Sequence, residues 1–169
     1  LRATAHRIAD VIYEKLTGEK GVFSTKITYV VKRGTRYELQ VSDADGANER
    51  VVFASPQPIL SPAWSPDGRS LAYVSFHSSL PAIYVQTLRS GERSRVSARA
   101  GINGAPTWSP DGSTLALTLS RKDGDVDIYT LKLSSQSLTR MTFDPGIDTE
   151  PVWAADGRKL YFMSDRAGG

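Results

Sequence analysis

The phrase "WSPDG" stands at residues 64–68 and again at 108–112, and a worn copy, "WAADG", follows at 153–157. The three tryptophans, Trp64, Trp108 and Trp153, are 44 and 45 residues apart. The rest of each unit keeps the same register. "LAYVS" at Leu71 answers to "LALTLS" at Leu115 and "LYFMS" at Leu160, and "AIYVQTLRSGE" at Ala82 answers to "DIYTLKLSSQS" at Asp127. Each unit closes on a short edge run, "RVVF" at Arg50, "SRVS" at Ser94 and "LTRMTF" at Leu138.

Four short β-rich runs in a unit of this length match the roughly 40–45-residue repeat of a propeller blade. A helical repeat would need a 3.6-residue period that these runs lack, and a β-sandwich would not echo its own sequence. The spacing therefore predicts an all-β partial propeller of four-stranded blades. Residues 26–46, "KITYVVKRGTRYELQVSDADG", fit the middle slots of a first blade that lacks its innermost strand. Two complete blades follow, then the first two strands of a fourth.

The repeated phrase itself reads as scaffold. Pro66 is preset for the first corner of a tight turn, Asp67 can bond the backbone that follows it, and Gly68 accepts positive φ. The turn would join the innermost strand of a blade to the second. The tryptophan before it is a large apolar anchor suited to packing one blade on the next.

Ahead of the repeats, "RATAHRIADVIYEKL" sets Ile8, Val11, Ile12 and Leu16 at helical spacing, and Gly18 offers a left-handed stop. The expected division is a helix and exit linker over residues 1–20 and the propeller over 21–169. The chain has 169 residues, opens without methionine and ends just after the last copy has begun, so it reads as a piece of a longer protein. No run approaches the roughly 20 apolar residues of a membrane-spanning helix. A net charge of +3 spread over scattered basic residues, with no basic stripe interleaved by aromatics, gives no nucleic-acid face.

Reactive constellations are missing from the sequence. There is no Gly-x-Ser-x-Gly elbow, no His-Glu-x-x-His, and no Gly-rich loop opening a helix. His6 and His77 stand in unrelated contexts, and the chain has no cysteine. "SDADG" at Ser42 has the start of a calcium loop without its downstream glutamate, and is expected to be a turn between the third and fourth strands of the first blade. "RKDGDVD" at Arg121 is expected to be an exposed hairpin loop. No cofactor or metal site is legible. A propeller of this kind binds rather than catalyses.

The loops entering each innermost strand lie on the rim of the central channel: "PQPILSPAW", "RAGINGAPTW" and "PGIDTEPVW". Each carries one apolar residue, Leu60, Ile102 or Ile147, beside small polar and acidic ones. These residues either tuck between blades or ring the channel mouth as an interaction patch. The candidate partner-binding set is Leu60, Ser61, Ile102, Asn103, Gly104, Ala105, Asp148, Thr149 and Glu150.

The stretches "ADVIYEKLTGEKGVFSTKITYVV", "YELQVSDADG", "SPQPILSPAWSPDG", "NGAPTWSPDG" and "DTEPVWAADG…SDRAGG", in this order over nearly the whole chain, resemble the TolB family of the Tol-Pal system of Gram-negative bacteria. The resemblance implies a periplasmic, non-enzymatic scaffold with a small α/β N-terminal domain and a six-bladed propeller. Residues 1–20 would be the last helix and exit of that domain. The family binds the peptidoglycan-associated lipoprotein Pal at the channel mouth, binds TolA through an extreme N-terminal segment missing from this chain, and is exploited by colicins. Its mouth loops fall here on Ser61, on Ile102 to Ala105, and on Thr149 and Glu150. Ile102 stands where enterobacterial relatives have histidine. The competing reading is the gating propeller of a prolyl-oligopeptidase-like serine peptidase, which also repeats "WSPDG". "IADVIYEKLTG" before the first blade favours the scaffold.

Overall fold

A computed structural model describes residues 1–121 and 124–166. Among the described residues one helix, α1 (Arg2–Thr17), precedes thirteen strands. The first sheet contains β1 (Lys26–Arg33), β2 (Arg36–Asp43) and β3 (Arg50–Ser55), paired in that order. The second is β4 (Ile59–Trp64), β5 (Ser70–Ser75), β6 (Ala82–Thr87) and β7 (Arg93–Ser97). The third is β8 (Asn103–Trp108), β9 (Thr114–Ser120), β10 (Val126–Lys132) and β11 (Ser137–Arg140), and the fourth pairs β12 (Asp148–Trp153) with β13 (Leu160–Ser164). Every pairing is antiparallel between consecutive strands, and β4 touches β8 as β8 touches β12. The first strands of the second, third and fourth sheets thus converge on one axis. This is a partial β-propeller with three strands, four, four and two.

Period-2 alternation explains why the sheets stack. On β5, Leu71 and Tyr73 face the first blade, where they pack with Leu39 and Val41. Ala72 and Val74 face the third, against Leu115, Leu117 and Leu119. Each central strand is therefore buried on both faces, as a sheet sandwiched between two others must be. Trp64 packs on the core shared with the first blade and Trp108 on the core shared with the second. Trp108 also donates its indole N–H to the Ala63 carbonyl at 3.2 Å, across the blade boundary. Trp64 and Trp108 thus each pack back onto the blade before them.

Polar contacts stitch the same boundaries. Gln86 accepts from the Tyr73 hydroxyl at 2.8 Å and donates to the Val52 carbonyl of the first blade at 3.1 Å. Burial pushes the Tyr73 phenol up to about 12, so it stays a donor. The Arg93 guanidinium lies between the rings of Phe53 and Tyr84, 4.2 and 4.7 Å from their centres. That places one cation across the outer strands of two blades.

The repeated turn forms as the sequence requires. Gly68, Gly112 and Gly157 have φ of 66°, 71° and 69°. Asp111 accepts from the Ser109 hydroxyl at 2.5 Å and from the Ser113 backbone N–H at 3.0 Å, while the Ser109 hydroxyl accepts from the Thr114 N–H at 3.0 Å. These bonds hold the Asp111 carboxyl down at about 2. "SDADG" forms the turn between β2 and β3, with Gly46 at φ 80°. Of the loop at Arg121, residues 122–123 lie outside the described residues.

Helix α1 ends at Gly18 with φ 77°. It meets the first blade and the linker before it through polar contacts, and Tyr13 packs edge-on against Phe23 with ring centres 5.9 Å apart. Asp45 accepts from Arg2 and bonds His6 at 3.2 Å, while Asp10 accepts from the Phe23 and Ser24 backbone N–H groups at 2.7 and 3.1 Å. The apolar stripe Ile8, Val11, Ile12 and Leu16 stays exposed.

Two outcomes are expected for the turns. Gly112→Val should lower stability by about 1–2 kcal/mol, because a β-branched side chain resists positive φ; equal urea midpoints for this variant and the parent would refute the turn geometry. The Asp111 carboxyl ionises more readily folded than unfolded, so its contribution is complete above the unfolded value near 3.8 and fades as pH falls toward about 2. The stability gap between the parent and Asp111→Asn should therefore shrink between pH 4 and pH 2 in acid-titrated denaturation curves.

Candidate functional site at the channel mouth

The inner strands share an irregularity. Register breaks between Leu60 and Ala63 on β4, Gly104 and Thr107 on β8, and Thr149 and Val152 on β12. In each case two residues face one on the partner strand, which defines a β-bulge. The first bulged residue has positive φ every time: Ser61 at 48°, Ala105 at 43° and Glu150 at 51°. A proline follows each, Pro62, Pro106 and Pro151, and proline has no N–H to give to a ladder. These six residues hold the point where the strand leaves the mouth and enters the channel. A signal for this is in the sequence, since a proline stands two places before each tryptophan and proline within a sheet is confined to edges and bulges.

Counted from the tryptophans, Ser61, Ala105 and Glu150 are equivalent, as are Leu60, Gly104 and Thr149. Ile102 and Ile147 hold a third shared place. Leu60 therefore does not occupy the same position as the two isoleucines, contrary to the expectation of three matched apolar residues. It sits two places deeper, with Pro58 at the isoleucine position. All three are nonetheless about half exposed, at 49%, 47% and 52%, so none tucks between the described blades.

The isoleucines are held by their backbones. The Ile102 N–H donates to the Ser120 hydroxyl at 2.7 Å, and its carbonyl accepts from the Ser120 N–H at 3.1 Å. The Ile147 N–H donates to the Asp165 carboxylate at 2.7 Å, and its carbonyl accepts from the Asp165 N–H at 3.3 Å. The side chains are left free to face outward. Ser61 and Glu150 are exposed beside them, and Gly104 and Thr149 are half-buried.

Three members of the sequence-derived set turn inward. Ala105 is buried, and Asn103 and Asp148 are 2% and 1% exposed. Asn103 satisfies its whole amide locally. Its oxygen accepts from the Ser97 hydroxyl at 2.7 Å and the Arg99 N–H at 3.0 Å, and its nitrogen donates to the carbonyls of Arg99 and Gly101 at 2.7 and 3.3 Å. It is the frame of the loop that carries Ile102. Asp148 takes the equivalent place in the fourth blade, where the Arg166 guanidinium reaches it at 2.6 Å and Asp144 at 2.7 Å. Burial opposes ionisation of Asp148, but hydrogen bonds from Ser164 and Thr142 and the Arg166 charge outweigh it and hold the carboxyl below the usual range. The mouth thus rests on one neutral and one charged frame.

No nucleophile paired with a base stands on this surface, and no group of three or more His, Asp or Glu side chains among the described residues is placed to hold a metal. What the arrangement offers is a preformed rim with apolar side chains on backbone-anchored loops. Asn103→Ala should lower stability by about 2–4 kcal/mol, because it strips four hydrogen bonds from buried groups. A urea midpoint within error of the parent would show that the loop is framed by something else.

Residues 13–169 match the family model described as the TolB beta propeller domain. Tol-Pal system protein TolB of Aromatoleum aromaticum is 60% identical over 104 residues, which is 62% of this chain and 24% of that protein. TolB of Bordetella pertussis is 59% identical over 105 residues, again 62% and 24%. The aligned part is thus about a quarter of the length of these relatives. The crystal structure of TolB from Acinetobacter baumannii superposes with a TM-score of 0.93 at 44% identity, covering 99% of this chain and 43% of that one. The tricorn protease superposes at 0.64 with 17% identity, a likeness of fold alone. With its blades, its repeated turn and its match over residues 13–169, the chain belongs to the TolB β-propeller family.

Proposed function

We propose that this chain acts without catalysis, as part of a periplasmic scaffold whose channel mouth docks the lipoprotein Pal and thereby supports outer-membrane integrity and cell division. The observation that carries the reading is the matched pair Ile102 and Ile147. Both are about half exposed on adjacent blades, and both are fixed by paired backbone bonds to the end of a neighbouring strand. Apolar side chains held rigidly at a rim suit a protein partner, because little order is lost when they are covered. Leu60, Ser61, Gly104, Thr149 and Glu150 complete the contact surface, while Asn103, Ala105 and Asp148 support it from below.

Residues 1–20 are read as the exit of an N-terminal domain whose far end would engage TolA, and colicins would use the assembled protein for entry. Among the described residues no helix is long and apolar enough to cross a membrane. The peptidase alternative gains no support from the tricorn likeness, which extends to fold alone.

The test is calorimetric titration of Pal into the full-length protein. Ile102→Arg places bulk and charge where the partner must pack, and should weaken binding by about 1–3 kcal/mol. Arg158→Ala, in the turn at the other end of the fourth blade, should leave affinity unchanged. Undiminished binding by Ile102→Arg would place the partner elsewhere.

A further inference from the structure

The end of the propeller away from the mouth carries a second feature. A groove of about 740 Å³ runs between the first and second blades. Val41 and Leu88 contribute apolar walls, and Lys26, Arg50, Arg69 and Arg89 line it without any carboxylate among the lining residues. The first-blade wall comes from β1, β2 and the start of β3, so it does not depend on an inner strand.

Two of the cations are already partnered. Lys26 meets Asp43 at 2.7 Å, and Arg69 lies 3.9 Å from Asp67. Arg50 and Arg89 are exposed and have no ion-pair partner among the described residues. They enter from opposite blades, one at the start of β3 and one in the loop after β6. Bringing like charges together around a concave surface is unfavourable unless an anion completes it.

The repeat supplies its own control. In strand register, Lys26 corresponds to Ser70 and Arg50 to Ser94. Arg69 corresponds to Ser113 through the shared turn, and Arg89 to Ser134, because Leu88 and Leu133 donate to the carbonyls of Arg69 and Ser113 respectively. The same four places between the second and third blades are all serine. The blade scaffold therefore does not require the charges.

We propose that this groove is an anion site for a phosphate group, held by the guanidinium forks of Arg50 and Arg89 with Lys26 and Arg69 as flanking charge. Guanidinium forks match phosphate oxygens bidentately, and a multiply charged phosphate can engage both forks at once. The volume falls in the range of small-molecule sites, roughly 300–1,000 Å³. The phosphate is either a free soluble anion or the headgroup of an anionic lipid.

The experiment uses the full-length protein and two probes: inorganic pyrophosphate by calorimetry, and vesicles of phosphatidylglycerol against phosphatidylcholine by co-flotation. The Arg50→Ser/Arg89→Ser double variant installs the residues of the neighbouring groove at exposed positions, with its melting temperature checked against the parent. Binding of pyrophosphate that falls at least tenfold in the double variant supports the site and assigns a soluble anion. Binding confined to phosphatidylglycerol vesicles and lost in the double variant supports it and assigns a headgroup. Arg36→Ser, at the mouth end of β2, should leave either unchanged. The proposal is overturned if neither probe binds the parent, or if binding survives in the double variant. Ile102→Arg should retain the anion, so failure of the mouth reading and failure of this one are separable.

Discussion

A sheet that is apolar on both faces cannot stand alone in water, and that constraint organises this molecule. β5 presents Leu71 and Tyr73 one way and Ala72 and Val74 the other, with every residue from Leu71 to Ser75 buried. Large side chains point back toward the preceding blade and the small Ala72 points forward, which leaves room for Trp108 of the next inner strand. Stacking therefore has a direction. On β13 the residues of the same face are uncovered, and Tyr161 and Met163 are among the most exposed apolar residues of the described chain. Repeat architectures draw their stability from such neighbour contacts rather than from the single unit.

Much of this was legible from residues alone. The four-stranded antiparallel sheets of a propeller and the turn at Gly68, Gly112 and Gly157 follow from a period of 44 to 45 and from local chemistry that needs no tertiary context. The mouth was only partly legible. Position in a loop predicts exposure on average, but Asn103 is drawn in because the loop between blades leaves backbone groups that need a partner, and Asp148 because the Arg166 guanidinium meets its carboxylate there. Leu60 was matched to the isoleucines by residue type, whereas register matches it to Gly104 and Thr149. The bulges show why type misleads: alternation is interrupted inside the very strand that carries it.

Electrostatics divides the molecule differently from packing. Near the mouth, the buried carboxylates are neutralised in place, as in Asp148 with Arg166 and Asp127 with Arg140 at 2.9 Å. Both aspartates are buried, and Asp127 shares the Thr142 hydroxyl at 3.2 Å, so this network ties the third blade to the chain entering the fourth. In the groove at the turn end, Arg50 and Arg89 are left open to solvent. Burial demands that charge be settled within the fold, while an exposed groove can leave it for an outside ligand.

The bulge at Ser61, Ala105 and Glu150 has a consequence for how such a surface can change over time. Because the ladder is interrupted there, each inner strand contains two short reading frames. One frame carries the residues of the opening, and the other carries the tryptophan that seats the blade. A substitution or a slip of pairing in the first frame is absorbed at the bulge and does not shift the second. The opening can therefore diversify toward new partners while the ring keeps its geometry, an independence that an unbroken strand would deny it.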